Sequence, residues 1–109
     1  MPRSPRITLP TAMVLMAVYR NYRYGFDISD ATGLPSGTVY PVLRRLEDAG
    51  LLRSRWEAAQ TARAEQRPPR RYYTVTGSGS QAVQDAMQRY PTLERSFERP
   101  TASPEPRPA

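Results

Sequence analysis

The sequence predicts an α+β fold in which three helices come first, a two-stranded β-hairpin follows, and a fourth helix closes the domain. Apolar residues in segment 36–49 recur every three or four positions, as on one face of a helix. Side chains in segments 51–57 and 71–76 alternate in the pattern of half-buried strands. A length of 109 residues suits one small domain.

Two helices are predicted before the segment with the clearest helical spacing. The first covers 11–21, where apolar side chains surround nearly the whole circumference. Such a helix is buried on more than one side, so we expect it to contact both the core and a partner subunit. Pro10 is tolerated at its first position. The second helix is short, over 26–32, and Gly33 fits the tight turn after it.

The third helix, 36–49, has an apolar and a polar face. Its apolar face carries Val39, Val42, Leu43, Leu46 and Ala49. The opposite face carries Gly37, Tyr40, Pro41 and Arg44, with Arg45 at its margin. Pro41 removes the hydrogen bond to Gly37, but it lies near the start of the helix, where this is tolerable.

The segment between the two strands, 58–69, is polar, basic and ends in proline, so we expect a loop that forms a long basic hairpin tip. A turn at 77–80 leads into the fourth helix. Its apolar face is predicted from Val83, Ala86, Met87 and Tyr90. Pro91 interrupts this helix.

The charge balance points to a polyanionic partner. The net charge is +6 and the isoelectric point is near 10.3, which favours nucleic acid or an anionic surface. Every basic residue is arginine, which makes bidentate contacts to phosphate and guanine. A GC-rich coding bias explains the same usage, so arginine content alone decides nothing. The excess charge is densest over 63–71.

Missing residue types exclude several classes of function. Without cysteine or histidine, disulfides, thiolate or imidazole metal sites and imidazole acid–base chemistry are excluded. No glycine-rich phosphate loop follows a strand, and no carboxylate pair is set by spacing into a pocket. We therefore expect no enzyme activity, no cofactor and no metal. The apolar stretch 12–18 is too short to span a bilayer and no signal-peptide pattern follows it, so we expect a cytoplasmic protein without a membrane partner.

The order of elements predicts a winged helix-turn-helix. The second and third helices, joined by 32–35, place the third helix in the major groove of double-stranded DNA, and the hairpin forms the wing. Small and polar residues suited to the groove are Ser36, Gly37, Thr38, Tyr40 and Arg44. Wing arginines expected along the DNA backbone are Arg63, Arg67, Arg70 and Arg71. Around this domain, 9–90, we expect a flexible basic arm (1–8) and a short kinked helix extension with a disordered proline-rich tail (91–109).

The motifs GTVYPVLRRLEDAGLLRSRWE and RPPRRYYTVTGSG resemble the PadR family of bacterial transcriptional regulators. The resemblance covers roughly 11–90. It implies a homodimer that pairs through its first and last helices, and repression at a palindromic operator that a small molecule relieves in some members. It also implies contacts to DNA from Ser36, Gly37, Thr38, Tyr40, Pro41 and Arg44, with Arg70 and Arg71 at the wing. Two departures are the short second helix and the last helix cut by Pro91.

Several residues have more than one interpretation. Arg44 and Arg45 either contact DNA or form a solvated face that pairs with Glu47 and Asp48; opposition to the apolar stripe favours DNA contact for Arg44. Trp56 either packs at the base of the wing, which we prefer, or stacks on a ligand. Residues for a dimer core, or for an effector pocket between subunits, are Met13, Met16, Tyr19, Met87 and Tyr90.

The predicted function is sequence-specific regulation of transcription. The alternative is a winged helix that binds DNA without sequence preference as an architectural protein, or that binds another protein. The exposed arginines fit non-specific binding equally well.

Overall fold

The computed structural model describes residues 7–93. The elements within this range are, in order, α1 (Leu9–Tyr19), α2 (Gly25–Thr32), α3 (Ser36–Asp48), β1 (Leu52–Trp56), α4 (Ala59–Ala64), β2 (Arg71–Val75) and α5 (Gly77–Arg89). The α+β winged helix-turn-helix is therefore confirmed. Most of the expected arm and tail lies outside the described residues.

Helix α1 is the centre of the core. Thr8 precedes it and its hydroxyl accepts a hydrogen bond from the Thr11 amide at 3.5 Å, while Pro10 occupies the first turn. The buried side chains of α1 cover all sides of the helix, and α2, α3, α5 and β2 pack around it. The prediction of burial on several sides is confirmed. The protomer's own elements supply the cover, so this burial does not require a partner subunit.

The turn between α2 and α3 is held by local hydrogen bonds. Gly33 ends α2 with φ +78°, in the left-handed region that favours glycine. The Thr32 hydroxyl donates to the Ile28 carbonyl at 2.8 Å and accepts from the Leu34 amide at 3.1 Å. The Ser29 hydroxyl donates to the Leu34 carbonyl at 2.5 Å. These bonds fix the direction in which α3 leaves the turn.

Helix α3 packs one face on the core and exposes the other. The predicted stripe is confirmed, because Val39, Val42, Leu43 and Leu46 are all buried. Pro41 lies inside the helix on the exposed side. The helix ends near Gly50, whose φ of +80° directs the chain into β1.

Strands β1 and β2 pair antiparallel, with Leu52 opposite Val75 and Trp56 opposite Arg71. The segment predicted as an irregular loop, 58–69, contains the short helix α4, so that prediction is wrong in part. The sequence of α4, AQTARA, is rich in strong helix formers, and Ala62 is buried. Helix α4 therefore gives the wing a structured tip.

Helix α5 begins earlier than expected. Residues 77–80 were predicted as a turn but form its first turn. The Thr76 hydroxyl accepts from the Gly79 amide at 3.0 Å and donates to the Gly50 carbonyl at 2.7 Å, so a single side chain caps α5 and ties it to the end of α3. The helix ends at Arg89, before Pro91.

Candidate nucleic-acid interface

The outer face of α3 is open in the way that a groove-binding helix requires. Ser36, Gly37, Tyr40 and Pro41 are exposed, and Thr38 is half-buried. No atom lies within 4 Å of the place where a side chain on Gly37 would begin. Since Pro41 has no N–H, it cannot donate to the Gly37 carbonyl. That carbonyl therefore lacks the helical hydrogen bond that residue 41 would otherwise donate.

Arg44 and Arg45 carry free charge on the same helix. Both are exposed, and within residues 7–93 neither side chain makes a hydrogen bond or an ion pair. The alternative pairing with Glu47 is not found. The Glu47 carboxylate instead accepts from the Ser54 hydroxyl at 2.6 Å and pairs with Arg71 at 3.4 Å, which attaches the wing to α3 and leaves Arg44 available to a ligand.

We expected Tyr40 to extend from α3 toward DNA, but in the structure its side chain packs against the start of α2. Its ring lies across Gly25 at the start of α2, and a side chain at Gly25 would overlap the ring. Half of Tyr40 is still exposed, at 52%. The Tyr40 ring therefore packs between α2 and α3, and one side of it is open to solvent.

Arg67 is held inside the wing. Its guanidinium donates to both oxygens of Glu57, at 2.6 and 2.9 Å, and the Arg70 amide donates to the same carboxylate at 3.1 Å. The hydrogen bond from Arg67 is the main cause that lowers the pKa of Glu57 to about 2. The charge of Arg67 is therefore engaged in closing the loop, and its contact to the DNA backbone stays a prediction.

The other wing arginines differ in how freely they are exposed. The Arg70 guanidinium lies 4.0 Å from the centre of the Tyr24 ring. Arg71 donates from Nε to the Ser54 hydroxyl at 2.9 Å, and its side chain is 43% exposed. Arg63 is exposed in the last turn of α4 and makes no ion pair within the described part of the chain. Arg63 is thus the wing-tip side chain best placed to meet a polyanion, whereas Arg71 is held by Ser54 and Glu47.

Trp56 is 62% exposed, so the preferred expectation that it packs at the base of the wing is wrong. It ends β1, beyond the part of the sheet that covers the core, and lies opposite Arg71. The Arg71 guanidinium is 5.5 Å from the ring centre. In the same sheet, Tyr73 points inward and is buried.

A second group of arginines was not singled out from the sequence. Arg53 and Arg55 are exposed on the sheet face that points away from α3, and Arg23 joins them across Tyr72. The strand alternation already placed the first two outward. No sequence pattern near Arg23 predicts its place in this group, because a distant contact brings it there. The Arg23 carbonyl accepts from the Tyr73 amide, fifty residues away in sequence, at 2.8 Å.

The residues predicted for a dimer or an effector pocket occupy different environments. Met16 is 1% exposed and lies in the protomer's own core, whereas Tyr19 is 43% exposed at the end of α1. Met13, Met87 and Tyr90 are partly buried against the core. The Tyr90 hydroxyl donates to the Ile7 carbonyl at 2.9 Å, which joins the two ends of the domain.

The described part of the chain contains no cluster of three His, Cys, Asp or Glu side chains suited to a metal ion. Within residues 7–93, no helix combines the length and apolar character needed to cross a membrane.

The helix-turn-helix, the wing and the open, basic face of α3 together define a winged helix DNA-binding domain. Residues 14–85 match the transcriptional regulator PadR-like family, and the chain belongs to that family. Its members are transcriptional regulators and not enzymes. The resemblance noted in the sequence is thereby confirmed, and this chain is a DNA-binding regulator of transcription.

Solved structures support the same fold. A PadR family transcription regulator from Clostridium difficile R20291 is 20% identical with a TM-score of 0.66, and the match covers 84% of this chain and 96% of that one. A PadR-like transcription factor from Bacteroides fragilis is 26% identical, with a TM-score of 0.58 and coverage of 81% and 85%. Staphylococcus aureus MepR in complex with DNA is 24% identical, with a TM-score of 0.59 and coverage of 84% and 71%. No curated protein matches the chain.

Proposed function

We propose that this regulator binds a specific palindromic operator as a homodimer and represses transcription there. The observation that carries the proposal is the outer face of α3, where small or flat residues lie beside the free guanidinium of Arg44. A helix enters the major groove only where its surface is narrow. A free guanidinium in that position is suited to a bidentate contact with guanine.

The other proposed contacts to DNA are of three kinds: hydroxyl hydrogen bonds, close approach of the helix backbone, and arginine contacts to phosphate. Ser36 and Thr38 offer short hydroxyls at the positive N-terminal end of α3, which suits phosphate oxygens or base edges. Gly37 and Pro41 allow the helix to approach closely. Arg45, Arg63, Arg70 and Arg71 are proposed as contacts to the phosphate backbone, which strengthen binding without reading sequence. The fold shared with MepR, a protein solved in complex with DNA, supports this docking mode.

The homodimer is proposed to form through α1 and α5. Leu9 and Tyr19 expose 46% and 43% of their surface at the two ends of α1, and Met13, Met87 and Tyr90 are only partly covered. A partner subunit that covers these side chains would remove their apolar surface from water, which favours association. A dimer of winged helices requires two half-sites related by twofold symmetry, hence a palindrome.

Selection of bound duplexes from a random DNA pool, at near-physiological salt, tests the proposal. We expect enrichment of an inverted repeat, with half-sites about one helical turn or a multiple of it apart. Loss of expression from a promoter that carries the repeat, on addition of the protein, identifies repression. A pool that stays random while binding still falls steeply with salt would support the non-specific alternative and reject the operator.

A further inference from the structure

Strand β1 has one backbone edge that no other strand covers. Within residues 7–93 the sheet has two strands, so β1 pairs with β2 on one side only. The outer edge of β2 is partly covered, because the Tyr73 amide donates to the Arg23 carbonyl at 2.8 Å. A strand whose N–H and C=O groups are unpaired can accept a further strand. Strand β1 is therefore the open edge of the wing.

The register of the sheet identifies the backbone groups at this open edge. In an antiparallel pair, the N–H and C=O groups of successive residues point alternately toward and away from the partner strand. The Glu57 amide donates to the Arg70 carbonyl at 2.8 Å, so by alternation the backbone groups of Ser54 and Trp56 face away from β2. Within the described residues, no other group pairs with the Ser54 and Trp56 amides.

One face of β1 beside this edge carries uncompensated positive charge. Arg53 and Arg55 are exposed there, and within residues 7–93 neither side chain makes a hydrogen bond or an ion pair. Arg23 lies beside them, and its buried Nε has no hydrogen-bond partner among the described residues. Glu57, the next residue on this face, is already paired with Arg67 at 2.6 Å. The face therefore favours an anionic neighbour.

The other face of β1 is apolar at the same edge. Trp56 is 62% exposed, and it borders the hollow between α3 and the wing together with Tyr40. A side chain beside Trp56 on an added strand would cover part of the indole and remove apolar surface from water, which favours binding. The two faces of β1 thus differ in the side chains that they favour on a neighbouring strand.

We propose that the open edge of β1 binds an extended segment of a partner protein, in which acidic and apolar residues alternate. The backbone of the segment pairs with Ser54 and Trp56, its carboxylates lie beside Arg53 and Arg55, and its apolar side chains cover Trp56. Alternation suits this edge because successive side chains of a strand point to opposite faces. In strand addition, main-chain hydrogen bonds give affinity and alternate side chains give specificity.

The arginines also disfavour a second copy of this chain at the same edge. Antiparallel pairing of two β1 strands about Ser54 would place Arg53 of each copy opposite Arg55 of the other. Like charges directly opposite each other destabilise a sheet, whereas opposite charges stabilise it. Charged side chains on an edge strand thereby oppose pairing between identical wings, and an acidic strand is favoured instead.

The probe is a capped octapeptide of alternating glutamate and valine, added to the ¹⁵N-labelled full chain. We expect saturable binding with a Kd of about 10 µM to 1 mM. The amide hydrogens of Ser54 and Trp56 should exchange with solvent more slowly in the complex, because they become hydrogen-bonded. Those of Arg53 and Arg55 already face β2 and should change little. A peptide with lysine in place of glutamate should bind at least about tenfold more weakly.

Backbone methylation of the peptide separates strand pairing from charge attraction alone. Successive N–H groups of an added strand point alternately toward β1 and toward solvent, so the glutamates and the valines present theirs on opposite edges. N-methylation of one set should raise the Kd by more than about tenfold, whereas N-methylation of the other should leave it nearly unchanged. Sensitivity at valine identifies an antiparallel strand, and sensitivity at glutamate a parallel one. An equal Kd for the two methylated peptides would overturn the pairing.

Charge reversal on β1 tests the arginine face. Arg55→Glu should weaken binding of the glutamate peptide about tenfold and strengthen binding of the lysine peptide, because an attractive cross-strand pair becomes repulsive and the reverse. Arg89→Glu, the same charge change at an exposed site of α5, should leave both Kd values unchanged. Thermal unfolding of each variant confirms that it is folded.

The outcomes do not depend on the proposed function. Saturable binding, protected edge amides and one sensitive methylated set support the site even if no operator is selected. Absence of saturable binding, unchanged exchange at Ser54 and Trp56, or an equal loss in Arg55→Glu and Arg89→Glu overturns it whatever the result with DNA. Failure of the peptide to bind, with a random-sequence duplex that is weakened by Arg55→Glu alone, would assign these arginines to nucleic acid and reject the proposal.

Discussion

Individual arginines with the same charge have different roles according to the groups around them. Arg67 is held by Glu57 through two hydrogen bonds, and Arg71 by Ser54 and Glu47. Arg44 is exposed and has no such partner among residues 7–93. A guanidinium that is already paired must break its contacts before it meets DNA, whereas a free one need only lose water and side-chain entropy. The free arginines therefore carry the interface, and the held ones shape it.

The ion pair in the wing makes a prediction about pH. Since the pKa of Glu57 is lowered to about 2 from its ordinary value of 4.5, its contribution to stability is complete above pH 4.5 and is lost as the pH falls through 2. The Glu57 carboxyl carbon, followed by NMR, should titrate with a midpoint near 2 in the wild type. In Arg67→Gln the midpoint should move upward, toward 4.5. A wild-type midpoint already at 4.5 would show that the pair does not form in solution.

At the scale of elements, the wing is attached to the domain through several contacts. The Ser54 and Arg71 side chains join it to Glu47 of α3, and the Arg23 carbonyl joins β2 to the segment between α1 and α2. Helix α4 carries Arg63 beyond these contacts. The wing is thus fixed at its base and presents a charged tip.

Removal of the charge at the tip should weaken DNA binding without changing specificity. We predict that Arg63→Gln raises the Kd for every duplex alike and lowers the slope of log K against log salt by about one. Arg89→Gln, at the end of α5, is the matched control and should leave both unchanged. A loss that is confined to one sequence would mean that Arg63 reads bases.

At the start of α5, glycine is required at position 79 but not at position 77. A side chain on Gly79 would collide with the Leu51 carbonyl oxygen, a backbone atom that cannot move aside, whereas Gly77 faces open space. We predict that Gly79→Ala lowers the free energy of unfolding by about 1 to 3 kcal/mol, the usual cost of overpacking. Gly77→Ala should be neutral or slightly stabilising. Chemical denaturation measures both, and equal effects would contradict the close contact of α5 with the Leu51 carbonyl, just before β1.

The elements that could be predicted from sequence are those fixed by local spacing. The buried stripe of α3, the strand alternation and the Gly33 turn follow from periodicity and backbone preference, and the structure has them. Exposure of Trp56 was not predictable, because it depends on where the core ends beneath the sheet. The ion pair of Arg67 with Glu57 and the helix α4 were not predicted. A basic, polar segment has the same local sequence pattern whether its arginines are paired or free.

At the scale of the whole molecule, one protomer already buries most side chains of α1. Dimerisation therefore adds to a formed core and does not create it. We predict a sedimentation mass near twice 12.3 kDa for the wild type. Tyr19→Glu places a charge in the proposed interface, so it should yield folded monomers with an unchanged far-ultraviolet circular dichroism spectrum. Arg53→Gln, which lowers the net charge by the same one unit at an exposed site of β1, is the control and should stay dimeric. A dimer that persists in Tyr19→Glu would place the interface elsewhere.

The central claim is that the outer face of α3 reads base sequence. The ratio of Kd values for the selected site and for a scrambled duplex, measured for wild type and Arg44→Gln, tests it most directly. A bidentate contact to guanine is worth about 1 to 3 kcal/mol of discrimination, so Arg44→Gln should reduce the ratio by roughly five- to hundredfold, with only a small loss on the scrambled duplex. An equal loss on both duplexes, with the ratio intact, would show that Arg44 contacts only phosphate and would contradict the claim.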